Sequence, residues 1–581
     1  MWHVLALHKE EEIMKKGIIS ILVCMLMILS TIIPISGTVL LEKTSHPLAK
    51  GNTLYVGGSG PGNYTKIQDA INAAVDGDTV FVFNGIYHEN VIINYKSINL
   101  IGENRDTTII DGGGNGYVVR LLSGHINFTG FTVQDSGTGI LILGDNVNVS
   151  GNIFLNNGSD IWLSHSNNTV SNNILLGGGL YISSNYGHQN IITNNFIKGR
   201  PLIYLEKKNN TIIDTDAGEI ILIDCENITI QNQTLHGTSF GILLGRSRNC
   251  LISHNTISNC FIGIDFFQSK DNSIVSNIFT NNTAFGIHFA SSTGNTISQN
   301  TISGSKQGSG IYIEYFSTFN TISHNTILSN GFGVCILSDH TIISDNLIEY
   351  NDDGVALFNN SGTYKNDSAS FSIIQGNTIS KCTMGGVSLS LINNCNVSDN
   401  SIYDNPFYGI EQLSCTDNAL TKNKLVNNSW SGIHLGDSNN NLISGNAITS
   451  SNEGIYFSNS SRNSIIGNNL QINPNGIYLI SSSNNSIENN NIIKNVKGVY
   501  LVTSNNNNIN RNNFKRNTQH AFFLDCNNSW DANYWNRLRF LPYPIFGKKT
   551  VTLPFLKEIQ LPSINFDRHP ALKPYDIPRM S

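Results

Sequence analysis

The chain has 581 residues, a net charge of -6 and only 13% charged side chains. That balance argues against a nucleic-acid partner, because a basic surface supplies most of the affinity for a phosphate backbone. The length would ordinarily hold two or more domains, but a repeat array can use all of it as one.

In chain order, residues 1–37 come first. Lys15 and Lys16 precede an apolar run over 17–35 that ends near Ser36-Gly37, where small residues permit cleavage. The run is also long enough to cross a bilayer, so it predicts either an export signal or an N-terminal membrane tether. Both place the protein outside the cytoplasm, extracellular or at the cell surface.

Residues 50–115 are expected to hold an N-terminal cap and the first coils. Ile67, Ala70, Ile71 and Ala74 recur at helical spacing, which predicts a short amphipathic helix near 66–75. Such a helix plugs the open end of a repeat core. Strand-like runs follow at 80–83, 91–93, 98–101 and 108–110.

Residues 116–526 carry the dominant signal. Asn255, Asn277, Asn300, Asn325 and Asn346 mark one series, and Asn377, Asn400, Asn423, Asn446, Asn468, Asn490 and Asn512 another, mostly 22 or 23 residues apart. A Gly-Ile-x-Leu phrase runs in step, as at Gly432 and Gly476, with Phe in the last place at Gly263, Gly286 and Gly454. A fixed period of this length marks a solenoid. The segments are too short for helices and alternate with period two, so the unit is a coil of short strands. The prediction is all-β: a single right-handed parallel β-helix with a helical N-terminal cap. The Asn column predicts a ladder of amide hydrogen bonds at one corner, with Asn also supplying the left-handed backbone of the turn.

Near "NNSGTYKNDSAS" one repeat is about nine residues too long, so a loop with Tyr364, Lys365 and Asp367 must leave the coil. Residues 527–581 change style. Trp530, Trp535 and Tyr534 precede a Pro-rich tail, and they are expected to fold over the last coil as an aromatic cap.

These repeats, with the opening "YTKIQDAINAAVDGDTVFVFNGIYHENVIINYKSINLIGENRDTTIIDG", resemble the secreted right-handed parallel β-helix proteins of the pectin-lyase-like superfamily over residues 52–535. The chain is similar to the carbohydrate-binding and sugar-hydrolase repeat proteins. It is also similar to the periplasmic copper-binding, NosD-like family of nitrous-oxide reductase maturation. The resemblance implies the fold, and an active site on the outward face of the Gly-Ile-x-Leu sheet. It leaves lyases, hydrolases, epimerases and copper accessories open as functions. Copper sites call for clustered Met, Cys or His. The chain has six Met, and its His are dispersed, so no metal site is assigned and the cofactor is unknown.

In Gly-Ile-x-Leu, Ile and Leu point inward and x outward. Down the repeats x reads Trp162, Tyr181, Tyr204, then Asp265, His288, Tyr312, Cys335, Ala356, Ser388, Glu411, His434, Tyr456, Tyr478 and Tyr500. Two acid–imidazole pairs stand on adjacent coils: Asp265 with His288, and Glu411 with His434. They are the candidate catalytic groups, since a carboxylate beside an imidazole makes a proton-transfer pair. Asp265 and Glu411 are too far apart to act together as a glycosidase pair. Tyr312, Tyr456, Tyr478 and Tyr500 are the candidate sugar-binding residues, the last three expected to form a flat stacking strip. A non-catalytic rod that binds polysaccharide or cell-envelope glycan is the favoured function, because no compact catalytic constellation rises above the repeats. A polysaccharide lyase or uronate epimerase, and a periplasmic copper-pathway accessory, are the alternatives.

Overall fold

The computed structural model describes residues 51–114, 116–183, 189–359, 369–551 and 558–578. The apolar run over 17–35 and the loop residues Tyr364, Lys365 and Asp367 lie outside them. The expected membrane tether needs correction: among the described residues, no helix is long and apolar enough to cross a membrane.

The fold is an all-β parallel solenoid. Helix α1 (Ile67–Ala73) buries Ile67, Ala70 and Ile71 against the first coil. The first stack of coils is built on a seven-stranded parallel sheet running from Thr53–Val56 to Ile191–Thr193. Its core joins Val80, Leu100, Phe128, Val149 and Val170, one per turn. The second stack has three long parallel sheets. One, the Gly sheet, holds the Gly-Ile-x-Leu strands; the other two have fifteen and fourteen strands. Its core columns, such as Ile264, Ile287, Ile311, Val334 and Val355, are fully buried.

Corners explain the Asn columns. Asn423 N–H and Nδ2 donate to Asn446 Oδ1 at 2.9 and 3.0 Å, and Asn446 donates in the same way to Asn468 at 2.9 and 2.9 Å. The two Asn series join across the long repeat, Asn346 donating to Asn377 at 3.0 Å. The left-handed backbone is not supplied by the ladder Asn but by the residue before it: His254 (φ 57°), His324 (φ 56°), Gly445 (φ 66°). The Asn side chain is thereby free to turn into the coil. Further ladders stand at other corners, as from Asn441 to Asn463 to Asn485 and from Ser438 to Ser460.

The coil is not uninterrupted. At Lys198-Gly199 (φ 49° and 86°) the chain reverses, and Phe196–Ile197 pairs antiparallel with the start of Arg200–Glu206. The second stack begins there. Its early strands Glu219–Ile223 and Phe240–Gly245 are buried on both faces. Ile220 and Leu222 face their own core, whereas Ile221, Ile223 and Leu243 pack with the core of the first stack. Buried carboxyls hold this joint. Asp160 accepts from Gly177 N and Gly179 N, each at 3.0 Å, and Glu219 of the second stack accepts from Leu180 N at 2.9 Å.

At the far end Trp530 and Trp535 are buried and close the core. Asp567, fully buried in the C-terminal hairpin, ends the Asn ladder by accepting from Asn533 N–H and Trp535 Nε1, both at 2.9 Å.

Candidate functional site

The outward column is one continuous register on the Gly sheet. Asp265, His288, Tyr312, Cys335 and Ala356 follow one another, then Ser388, Glu411, His434, Tyr456, Tyr478 and Tyr500. Both expected pairs are formed. His288 Nδ1 lies 2.7 Å from Asp265 Oδ1, and His434 Nδ1 lies 3.1 Å from Glu411 Oε1.

The pairs differ in what surrounds them. His288 is buried and has a second carboxylate, Glu314, 3.5 Å from Nε2. Burial works against its charge, but Asp265 and Glu314 outweigh it, and the imidazole is pushed up to about 10. An imidazolium held at neutral pH by two carboxylates is a structural ion cluster and a poor base. Its ring stacks on Tyr312 at 5.4 Å, beside Phe285. His434 has one carboxylate, and its buried Nε2 makes no hydrogen bond. The ring is sandwiched between Tyr408 at 5.1 Å and Tyr456 at 5.0 Å, with Trp430 alongside.

A second outward column, three residues before the first, was missed by the alternation rule. Strand pairing skips each repeat Gly: Asp353 pairs with Gly385 and Val355 with Val387, but Gly354 pairs with nothing in that register. The Gly faces inward in a bulge, where a Cβ on Gly354 would lie 2.5 Å from the Gly386 carbonyl oxygen. The residue before it therefore turns out. This column carries Phe285, Asp353, Tyr408, Glu453 and Lys497. The phrase "DGV", an acid before the Gly, was the available signal.

Asp353 changes the chemistry of the lower pair. It is 7% exposed and accepts from Ser388 Oγ at 3.3 Å. Burial, and then the nearby Glu411 charge, push its carboxyl up to about 7. Asp353 stands two coils before Glu411 and three before His434, so it is Glu411, not the imidazole, whose charge it feels. Glu453 lies one coil beyond His434, with Asn452 donating to its two oxygens at 2.8 and 2.9 Å.

The tyrosine strip is not a flat platform. Tyr478 stacks on Tyr500 at 4.8 Å with 9° between planes, and Tyr456 lies 5.3 Å from Tyr478. Spacing by one coil puts the rings face to face, so they cover one another and offer edges and hydroxyls instead.

Among the described residues, no group of three or more His, Cys, Asp or Glu is placed to hold a metal ion. The described cysteines are scattered wall residues of the coil. All but Cys526 are buried, and burial pushes thiols such as Cys250 and Cys415 up to about 11.

The chain matches the family model described as periplasmic copper-binding protein (NosD) over residues 202–352 and 408–541. It matches the right-handed beta helix region over residues 309–470. A probable pectinesterase/pectinesterase inhibitor 6 of Arabidopsis thaliana is 35% identical over 116 residues, 19% of this chain and 20% of that protein. The chain thus spans about a fifth of the length of this curated relative. Among solved structures, the mannuronan C-5 epimerase AlgE6 A-module of Azotobacter vinelandii is 14% identical, with a TM-score of 0.24, 72% of this chain and 93% of that one being covered. An alginate lyase from Paenibacillus sp. str. FPU-7 is 11% identical, with a TM-score of 0.28 and coverage of 60% and 94%. Copper binding, epimerisation and alginate cleavage are properties of those proteins.

Proposed function

For this chain, a secreted right-handed parallel β-helix repeat protein related to the NosD-like and pectin-lyase-like families, we propose an enzyme that acts on a linear polysaccharide as a uronate lyase or epimerase. The observation that carries the reading is Asp353, a carboxyl raised to about 7 by burial and by the charge of Glu411, which His434 in turn holds in place. Perturbed carboxyls next to an oriented imidazole are what proton abstraction beside a carbonyl group requires. His434 Nε2 is closed off from solvent, so the imidazole orients Glu411 through Nδ1, and the half-buried Glu411 carboxylate acts as base. It takes the C5 proton of a uronate. In a lyase, the C4–O bond then breaks, its electron pair leaves with the oxygen, the former C5–H pair forms the C4=C5 bond, and the Asp353 proton goes to the leaving oxygen. In an epimerase, the Asp353 proton returns to C5 from the opposite face. Tyr456, Tyr478 and Tyr500 hold sugar hydroxyls with their exposed edges. The Asp265–His288 pair and Tyr312 serve as a rigid continuation of this surface.

The test is product analysis on a panel of polyuronates, following unsaturated uronate and the change in C5 configuration. Glu411→Gln and Asp353→Asn are each expected to lower turnover by about 100-fold or more, the usual scale for a general acid or base. Activity should fall as pH rises through about 7, where Asp353 loses its proton. Glycan binding without turnover by the unaltered protein would return the chain to a non-catalytic binding rod.

A further inference from the structure

The rod is electrically lopsided. Residues 494–549 contain nine Lys and Arg against two Asp and no Glu, in a chain whose net charge is -6. Several of these cations gather in one concavity of about 380 Å³, around the corner from the Tyr500 end of the outward column. Lys494, Lys515 and Arg516 line it, with Gln471, Tyr534 and Asn536.

The fold brings these residues together. Gln471, Ile493 and Lys515 are consecutive positions of one outward column on the fourteen-stranded sheet. Lys494 and Arg516 are the left-handed corner residues that follow, with φ of 55° and 54°. Two adjacent coils therefore set a Lys and an Arg at the rim, and Lys515 on the wall. Lys515 Nζ sits 5.9 Å from the Tyr534 ring centre. Just past the corner, Lys497 Nζ lies 4.0 Å over the Tyr500 ring, the last tyrosine of the strip. The cations form a band from the pocket to the strip.

We infer that this corner is a binding site for the anionic substituent of an acidic polysaccharide, a carboxylate or a sulfate ester. Arg and Lys converging on a small polar concavity with amide donors beside them are the donor set an oxyanion needs. The volume falls in the range of small-ligand sites, about 300–1,000 Å³. The inference uses the proposed function only for the polymer; the oxyanion chemistry stands on the pocket itself.

The experiment measures binding of polygalacturonate, dextran sulfate and unmodified dextran to the full chain, with inorganic sulfate titrated by calorimetry. A Lys494→Asn/Arg516→Asn variant removes two charges with a residue that already stands in this corner column at Asn281 and Asn427, so folding is kept. A Lys548→Asn/Lys549→Asn variant removes the same charge away from the pocket. The pocket variant is expected to lose about tenfold in affinity for the acidic polymers, the scale of two rim charges. It should also lose the sulfate response, while the Lys548/Lys549 variant keeps both. Stronger retention of polygalacturonate or of dextran sulfate identifies carboxylate or sulfate as the natural group. Equal losses in both variants would mean that only net charge matters and overturn the site, as would unchanged binding in the pocket variant. Sulfate binding that depends on Lys494 and Arg516 without turnover of any glycan would sink the enzymatic reading and leave this site standing.

Discussion

Gln412 sits in a core column between Leu389 and Leu435, is fully buried, and neither its Nε2 nor its Oε1 has a hydrogen-bond partner. An unsatisfied buried amide costs about 1–3 kcal/mol, and an apolar replacement of similar size recovers it. Gln412→Leu is therefore expected to raise the denaturant midpoint, by about that free energy; an unchanged or lower midpoint would count against it. The residue is directly next to Glu411, so the molecule departs from its own rule beside the proposed site, as strained functional sites do. This was legible: "GIEQL" breaks the Gly-Ile-x-Leu phrase at one letter. Asp353 was not legible in the same way, because the bulge at each Gly reverses the side on which the preceding residue emerges. Nor was the face-to-face stacking of the tyrosines, since a column of rings reads identically whether faces or edges meet the solvent.

Elements in this molecule are held less by strands, many of them three residues long, than by the corners between them. Asn446 is fully buried and serves four hydrogen bonds in addition to its own backbone N–H: two accepted from Asn423, and two donated, to Leu420 O at 2.8 Å and Asn468 Oδ1 at 2.9 Å. Asn446→Ala strands several of these groups at once and is expected to cost about 2–4 kcal/mol. Equilibrium unfolding in guanidinium measures it, and a loss below about 0.5 kcal/mol would show that the ladder relaxes around the gap. The period in the sequence announced this ladder, because every coil repeats the same corner. The left-handed residue was harder to place, since His, Lys, Asp and Gly share that column and only the preceding position is common to them.

On the scale of the whole molecule, buried acids govern how stability depends on pH. Burial raises Asp160 to about 6, Asp353 to about 7 and Glu219 well above its usual value. The folded chain keeps protons that the unfolded chain releases near pH 4, so stability falls as pH rises from about 4 to about 7. His288, raised to about 10, extends the fall from about 6.5 to about 10. Thermal melts should therefore give a higher midpoint at pH 5 than at pH 8, and Asp353→Asn should flatten the part between 4 and 7; a midpoint rising with pH would contradict this assignment. The joint between the stacks was less readable than the repeats. Its mark is the loss of alternation in "EIILI" and "FGILLG", which a strand buried on both faces shares with any apolar run. The ladders also have a direction. Each Asn backbone N–H donates to an oxygen one coil nearer the C-terminus, and the series closes on Asp567. A polypeptide emerging N-terminus first thus leaves every newest corner waiting for a coil not yet made, and the last acceptor arrives almost at the end of synthesis. Growth of the rod leaves one corner open at a time, and Asp567 supplies the acceptor for the last.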